Sequence, residues 1–271
     1  MPRADEVADD APDIDWRTPL PRGPAELYAR LHRGNPGDLD FYRRACAGAS
    51  SVLELGCGHG RVLRAIATPE THLVGVDLDP ELLALARRGC ARIRPAPASL
   101  ELIEADFAAL ELGRTFDRVL IPYCGLYCLE DEAAIVGALS RARAHLAPAG
   151  ELLFDAYYVD PVHDELAEEP APIVDPSAKV ADLRWRGRDY EVHETCRWWP
   201  DERRVSVVYE HRPAGGGAPI VAGVRHRYLL ARDLPRLAEA AGLRLLAVDG
   251  GYAGEPLDDD SEMFVARAAP A

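Results

Sequence analysis

Three glycines at alternate positions, Gly56, Gly58 and Gly60, follow an apolar run that holds a single acid, Glu54. Glycine lets a backbone pass close beneath a ligand, and a turn that opens a helix presents free N–H groups that favour an anion such as a carboxylate. Asp77 closes a second apolar run about twenty residues beyond Gly56, the distance at which doubly wound folds set an acid against ribose hydroxyls. A third run ends at Glu104-Ala105-Asp106-Phe107, where the Asp106 carboxylate could accept a hydrogen bond from an adenine amino group and Phe107 could lie against the ring. A nicotinamide-dinucleotide fingerprint would read Gly-x-Gly-x-x-Gly. Here Arg61 stands three residues after Gly58, the third glycine comes one residue early, and an acid precedes the turn. That pattern argues against a dehydrogenase.

Such a turn has to be held by strands and helices in alternation. Residues 51–55, 73–77, 100–104, 118–121 and 151–155 read as short buried strands, and 61–67, a segment opening at Pro80, and 131–146 as helices between them. Strands alternating with helices imply a parallel sheet covered on both faces. Before them, residues 25–47 carry a helical pattern broken by Gly34-Asn35-Pro36-Gly37, with Asp38 as a candidate cap. After Asp155 the period changes to two over 188–198, 203–211 and 220–230, which reads as a three-stranded antiparallel insert; 233–241 returns to helix and 243–248 and 263–268 to strand. The expected organisation is a tail and helical cap over 1–48 with a loose segment to residue 24, an α/β core over 49–158, the insert over 159–230, and the end of the core over 231–271.

The chain has 271 residues, 48% of them hydrophobic, enough for one large domain with an insert. A formal charge of −14 repels phosphate backbones and anionic membranes, so nucleic acid and membrane partners are not expected. The polar, acidic start has no apolar core of a signal peptide and no run approaches a membrane span, so a cytoplasmic location with reduced cysteines is expected. The six cysteines form no Cys-x-x-Cys pair, and His163, His193, His211 and His226 are spread without ligand spacing, so no metal is expected. The run Asp258-Asp259-Asp260 reads as a solvated turn before the last strand.

Leu53-Glu54-Leu55-Gly56-Cys57-Gly58-His59-Gly60, with Gly75-Val76-Asp77-Leu78, Glu104-Ala105-Asp106-Phe107 and Phe116-Asp117-Arg118-Val119, resembles the class I methyltransferases. The resemblance covers residues 49–155 closely and the final helix and two strands loosely. It implies a doubly wound, Rossmann-like α/β fold, with a seven-stranded sheet whose last strand is antiparallel. It also implies S-adenosylmethionine as cofactor at the C-terminal strand ends. By that resemblance Gly56 and Gly58 lie under the methionine part, Asp77 holds the ribose, Asp106 and Phe107 hold the adenine, and Glu54, Leu78 and Tyr123 complete the cofactor site. The order of parts is also similar to small-molecule N- and O-methyltransferases, among them the sugar-amine enzymes of antibiotic pathways.

The implied reaction transfers a methyl to a nitrogen or oxygen of a small metabolite. The alternative is a cofactor-binding protein that does not methylate, either a cyclase or a regulatory subunit. Alignment of an acceptor can supply roughly 7–11 kcal/mol, and a nearby base on the order of 10²–10⁴-fold. Acceptor-side residues belong after strands four and five: Tyr123, Cys124, Tyr127 and Cys128, then Asp155, Tyr157 and Tyr158. Tyr127 and Cys128 have packing as the competing role, and Asp155 is open to two readings, a loop cap or an amine-binding acid. A pair of thiolates at Cys124 and Cys128 suits a soft ion, but no third ligand accompanies it. In the insert, Trp198, Trp199, Tyr209 and Tyr228 suit either a lid over the substrate or a sheet core and homodimer face. His226 and Tyr228 fall on one face by period two, which offers a base and an aromatic wall together. The candidate catalytic set is therefore Tyr123, Asp155 and His226.

Overall fold

The computed structural model describes residues 16–271; the expectation of a loose tail over residues 1–15 lies outside them. The chain divides into two compact units, one of residues 24–168 with 226–271 and one containing residues 169–225 with 16–23. In the first, α1 (Ala25–Leu31) and α2 (Asp38–Ala45) precede β1 (Ser51–Leu55), α3 (Arg61–Ile66), β2 (His72–Asp77), α4 (Pro80–Cys90), β3 (Ser99–Glu104), β4 (Phe116–Ile121), α5 (Glu132–Ala144), β5 (Leu146–Tyr157) and α6 (Asp160–Leu166). Side-chain caps start the two long helices. Asp79 accepts from Glu81 N at 2.8 Å and Leu82 N at 3.2 Å ahead of Pro80, and Asp131 accepts from Ala134 N at 2.8 Å. Each such cap contributes about 1 kcal/mol.

Asp38 does not cap α2. Gly37, at φ +88°, precedes the helix, and Asp38 is its first residue, with Oδ2 accepting from Asn35 N at 3.3 Å. Helix α6 was not legible in the sequence because its seven residues, about two turns, are too few to show a period. Asp160, 6% exposed, fastens it by accepting from Ala231 N at 2.7 Å and Arg232 N at 3.1 Å.

The second unit is an antiparallel sheet of β6 (Ile173–Val174), β7 (Ala178–Trp185), β8 (Arg188–Trp199), β9 (Arg204–Pro213) and β10 (Ile220–Arg227). The antiparallel insert is present, with β6 and β7 added to the three expected strands. Both pair with β8, and in β7 only Leu183 and Trp185 are buried, so alternation shows at one end alone. The third expected strand stops at Arg227. Tyr228, Leu229 and Leu230 are each 1% exposed, a run no half-buried strand presents. Residues 16–23 are pinned where looseness was expected: Arg225 donates to Trp16 O at 2.5 Å and Gly223 N to Pro21 O at 3.0 Å. The Arg17 and Arg204 guanidinium carbons lie 4.2 and 4.1 Å from the Trp16 ring centroid.

In the first unit, α7 (Leu234–Ala240), β11 (Leu243–Asp249) and β12 (Met263–Pro270) complete a seven-stranded sheet in the order β11-β12-β5-β4-β1-β2-β3. β1 runs parallel to β2 and β4, and β12 runs antiparallel to β5 and β11, as the resemblance implied. Strand order reverses between β1 and β4, so the crevice for a ligand opens at their C-terminal ends. Val52, Leu53 and Leu55 on β1 are at most 1% exposed, which buries the central strand on both faces. Cys46, Cys57 and Cys90 sit in the core with Tyr42, Leu63 and Leu73, and all six cysteines are free. Among the described residues no helix is long and apolar enough to cross a membrane.

Candidate functional site

Gly56, Gly58 and Gly60 take φ of +74°, +51° and +73°. That is left-handed backbone, which a side chain would penalise by about 1–2 kcal/mol per residue. The turn hangs from the end of β2: Gly56 N and Cys57 N donate to Val76 O at 2.8 and 2.9 Å, and Gly58 N donates to Asp77 Oδ2 at 2.6 Å. Asp77 Oδ1 accepts from Asp79 N at 2.9 Å. Burial raises the Asp77 pKa, against the N–H groups of Asp79 and Gly58 that favour the carboxylate. A carboxylate has about four lone-pair sites, so Asp77 keeps acceptor capacity beyond these two bonds.

The space over the turn is open. A Cβ built on Gly58 would meet no atom within 4 Å, and one on Gly56 would stand 3.8 Å from Phe107 Cε1. Leu78, beside Asp77, is 60% exposed. Asp106 is exposed, and its Oδ1 accepts from Ala108 N at 2.8 Å. These residues fit a nucleoside: acceptors for hydroxyl and amino donors, apolar side chains for a ring, and bare backbone beneath.

Glu54 serves the turn from below. It is 3% exposed and Oε2 accepts from Leu63 N at 3.0 Å, in the first turn of α3. Burial pushes its carboxyl up to about 8, with the Arg61 guanidinium and the Leu63 N–H opposing.

The far side of the crevice is assembled around Asp155, 2% exposed at the end of β5. Oδ1 accepts from the Tyr42 hydroxyl, and Oδ2 from the Tyr252 hydroxyl at 2.9 Å and Tyr123 N at 3.0 Å. Its backbone oxygen accepts from Cys124 N at 3.0 Å. These bonds hold Tyr123 and Cys124 at φ +54° and +60°. Burial raises Asp155 to about 6, and the Tyr42, Tyr252 and Tyr123 donors restrain the rise. Arg61 Nη1 lies 2.6 Å from Asp38 Oδ2, both side chains nearly buried, and its Cζ stands 5.7 Å from the Tyr123 ring centroid. A side chain on Gly34 would collide with both members of that ion pair. The ring centroids of Tyr28 on α1 and His32 just past its end lie 4.1 Å apart, and His32 is 6.2 Å from Tyr123. The Tyr28 hydroxyl pKa is raised first by burial, then by Cys128, Tyr123 and Asp77.

Further along, Tyr127, 2% exposed, donates to Tyr157 O at 2.6 Å and to Leu229 O at 3.2 Å, so its role is packing and anchoring. His226 stands edge-on to the Tyr127 ring at 5.9 Å, and burial pushes its imidazole down to about 4. The Tyr228 hydroxyl is 3.0 Å from His163 Nδ1. His226 and Tyr228, expected to form one wall, therefore meet different neighbours, because the strand ends between them.

The structure gathers Gly56, Gly58, Asp77, Leu78 and Phe107 about the turn and joins Tyr123 to Asp155. It also brings in residues that sequence reasoning missed: Tyr28, His32, Asp38, Tyr42, Arg61 and Tyr252. Only the i,i+4 spacing of Tyr28 and His32 on a helix was a usable signal. In the insert unit, Trp198 Nε1 donates to Asp175 Oδ2 at 2.8 Å. Trp185 is buried and its ring centroid lies 6.2 Å from that of Tyr190. Among the described residues no group of three or more His, Cys, Asp or Glu is arranged to hold a metal. The acidic run closes on itself, with Ser261 N donating to Asp258 O at 3.0 Å and Asp260 N to Asp258 Oδ1 at 3.2 Å.

Residues 52–150 match the family model described as a methyltransferase domain. The dTDP-3-amino-3,6-dideoxy-alpha-D-glucopyranose N,N-dimethyltransferase of Streptomyces fradiae is 30% identical over 142 residues, 49% of this chain and 53% of that protein. The chain thus spans about half the length of that relative, and 51% of the Xylella fastidiosa ubiquinone biosynthesis O-methyltransferase. The cypemycin N-terminal methyltransferase of a Streptomyces species is 27% identical over 217 residues, 79% of this chain and 81% of that protein. Among solved structures, the CcbJ methyltransferase of Streptomyces caelestis superposes with a TM-score of 0.74 at 22% identity, covering 88% of this chain and 97% of that one. An amino pentose methyltransferase of Micromonospora echinaspora superposes at 0.63 with 24% identity, over 92% and 98%. At these identities the structural likeness concerns the fold alone. Residues 52–150 thus match a methyltransferase domain, and the fold is one shared with solved methyltransferases.

Proposed function

We propose that this chain is a class I S-adenosylmethionine-dependent methyltransferase and that it methylates an amine nitrogen of a small natural-product metabolite. The observation that carries the reading is Asp77. It closes β2, braces the glycine turn through Gly58 N at 2.6 Å, and keeps acceptor capacity beside the exposed Leu78. The choice of nitrogen is supported by the relatives named for an amino sugar and for a peptide N-terminus.

In this reading the Asp77 carboxylate accepts from the ribose hydroxyls and Asp106 from the adenine amino group. Leu78 and Phe107 flank the adenine, and Gly56 and Gly58 pass beneath the methionine part. Glu54 supports the turn through α3. The bound cofactor supplies an electrophilic sulfonium methyl, so the chain's own task is to align and desolvate a nucleophile. Tyr123, held in left-handed backbone, walls the acceptor side. His226, which burial keeps neutral at physiological pH, accepts an N–H of the acceptor and orients its lone pair without storing a proton.

Product analysis tests this. The chain is incubated with S-adenosylmethionine and a panel of amines that includes a nucleotide-linked amino sugar and a short peptide with a free N-terminus. S-adenosylhomocysteine with an amine heavier by one methyl is expected. Methylthioadenosine would show a cyclising enzyme instead, and tight cofactor binding with no product would show a regulatory subunit.

A further inference from the structure

Asp155 is 2% exposed, and its carboxylate is taken up by hydrogen bonds within the protein. Its two oxygens take hydrogens from Tyr42 on α2, from Tyr252 in the loop between β11 and β12, and from the backbone of Tyr123. The same loop and helix are tied a second time. Asn35 Nδ2 donates to the Tyr252 hydroxyl at 3.3 Å, and Arg44 Nη2 donates to Tyr252 O at 2.8 Å. The Asn35 turn then carries Asp38, whose carboxylate holds Arg61 beside the Tyr123 ring. Tyr123 is therefore fixed from below through its N–H and from one side through Arg61, and both fixings run back to the 35–42 segment and the 250–254 loop.

We infer that Asp155 is a positioning residue: together with the Tyr42 and Tyr252 hydroxyls it clamps Tyr123 in the left-handed conformation that aims its ring at the acceptor. This deepens the proposed function and rests on it for the identity of the reaction. Left-handed backbone at Tyr123 and Cys124 costs on the order of 1–3 kcal/mol per residue and persists only where surrounding bonds over-determine it. The bonds from Tyr123 N and Cys124 N to Asp155 are those determinants. A carboxylate can accept all three donors, two hydroxyls and one backbone N–H, at once; a carboxamide of the same shape can accept at one atom only. The groups facing Asp155 are Tyr42, Tyr252, Cys124 and, across the turn, Asp38. Burial raises Tyr42, Tyr252 and Cys124 above their usual values, whereas Asp155 is raised to about 6 and so changes charge where those three do not.

The test is Asp155→Asn in the full chain, read in two ways. In steady-state methylation, kcat should fall at least tenfold while the cofactor dissociation constant stays within threefold, and the acid limb of the wild-type kcat profile near pH 6 should vanish. In hydrogen–deuterium exchange, the peptide containing Tyr123 and Cys124 should lose protection in the variant. Tyr252→Phe, which removes one donor and keeps the ring, should give a smaller loss of the same kind and serves if the Asn variant does not fold. A wild-type kcat with unchanged exchange, or equal losses in kcat and cofactor affinity, would overturn the inference. If the wild type binds cofactor but methylates nothing, the proposed function fails. The exchange data then decide the clamp alone, with unchanged protection in a folded variant refuting it.

Discussion

On the β1–β3 side of the crevice the bonds that shape the site join near neighbours: Gly58 to Asp77 across 19 positions, Asp77 to Asp79 and Asp106 to Ala108 across 2. On the β4–β5 side, Asp155 reaches Tyr123 across 32 positions, Tyr252 across 97 and Tyr42 across 113. The first side is a local device, built from a strand end, a turn and the next strand end. The second exists only when α2, β5 and the loop after β11 have come together. Damage on the first side should therefore appear as lost cofactor affinity in an otherwise sound protein. Damage on the second should appear as lost alignment with the cofactor still bound.

The largest effect expected on the local side is that of Asp77→Ala. Two hydrogen bonds to a charged acceptor are worth about 1.5–3 kcal/mol each, so affinity for S-adenosylhomocysteine should drop on the order of 100-fold or more by calorimetry. Asp106→Ala removes one such bond and should cost about tenfold. Equal losses in the two variants would break the assignment of ribose to Asp77. On the distant side, His226→Ala removes one neutral acceptor, worth about 1 kcal/mol. Turnover should fall about fivefold while cofactor affinity stays within a few-fold. A fall in affinity of the same size would place His226 on the cofactor instead.

The last effect concerns pH and is read in stability, not in affinity or turnover. Folding raises the Glu54 pKa from its ordinary value to about 8, so between roughly pH 4.5 and 8 the folded chain holds a proton that the unfolded chain releases. The contribution of Glu54 to stability is full below that window and is lost as pH rises through it. Denaturant melts of the ligand-free protein at several pH values should show this decline, and Glu54→Gln should flatten it. An unchanged slope in the variant would assign the decline to other groups.

This contrast also explains what could be read from the sequence. The glycine turn, Asp77 and Asp106 were legible because each is a short motif at a strand end, and the strands themselves announce their period. The seven-stranded order followed from resemblance and not from spacing. Tyr42, Arg61 and Tyr252 were illegible because nothing local marks them: Tyr42 looks like an ordinary helix residue, and Tyr252 sits in a glycine-rich loop far down the chain. Asp155 was found as an acid after β5, but nothing local announces the donors that reach it from Tyr42, Tyr252 and Tyr123. The same limit applies to His226 and Tyr228. Period two set them on one face, yet the strand ends at Arg227 and sends them to Tyr127 and to His163.

The central claim is that the turn between β1 and α3, braced by Asp77, is a site for S-adenosylmethionine and not for a dinucleotide. Isothermal titration calorimetry of the unaltered chain tests it directly, with S-adenosylhomocysteine and NAD titrated separately under the same conditions. Saturable one-to-one binding of S-adenosylhomocysteine and no heat from NAD is the predicted result; tight binding of NAD with none for S-adenosylhomocysteine would contradict it.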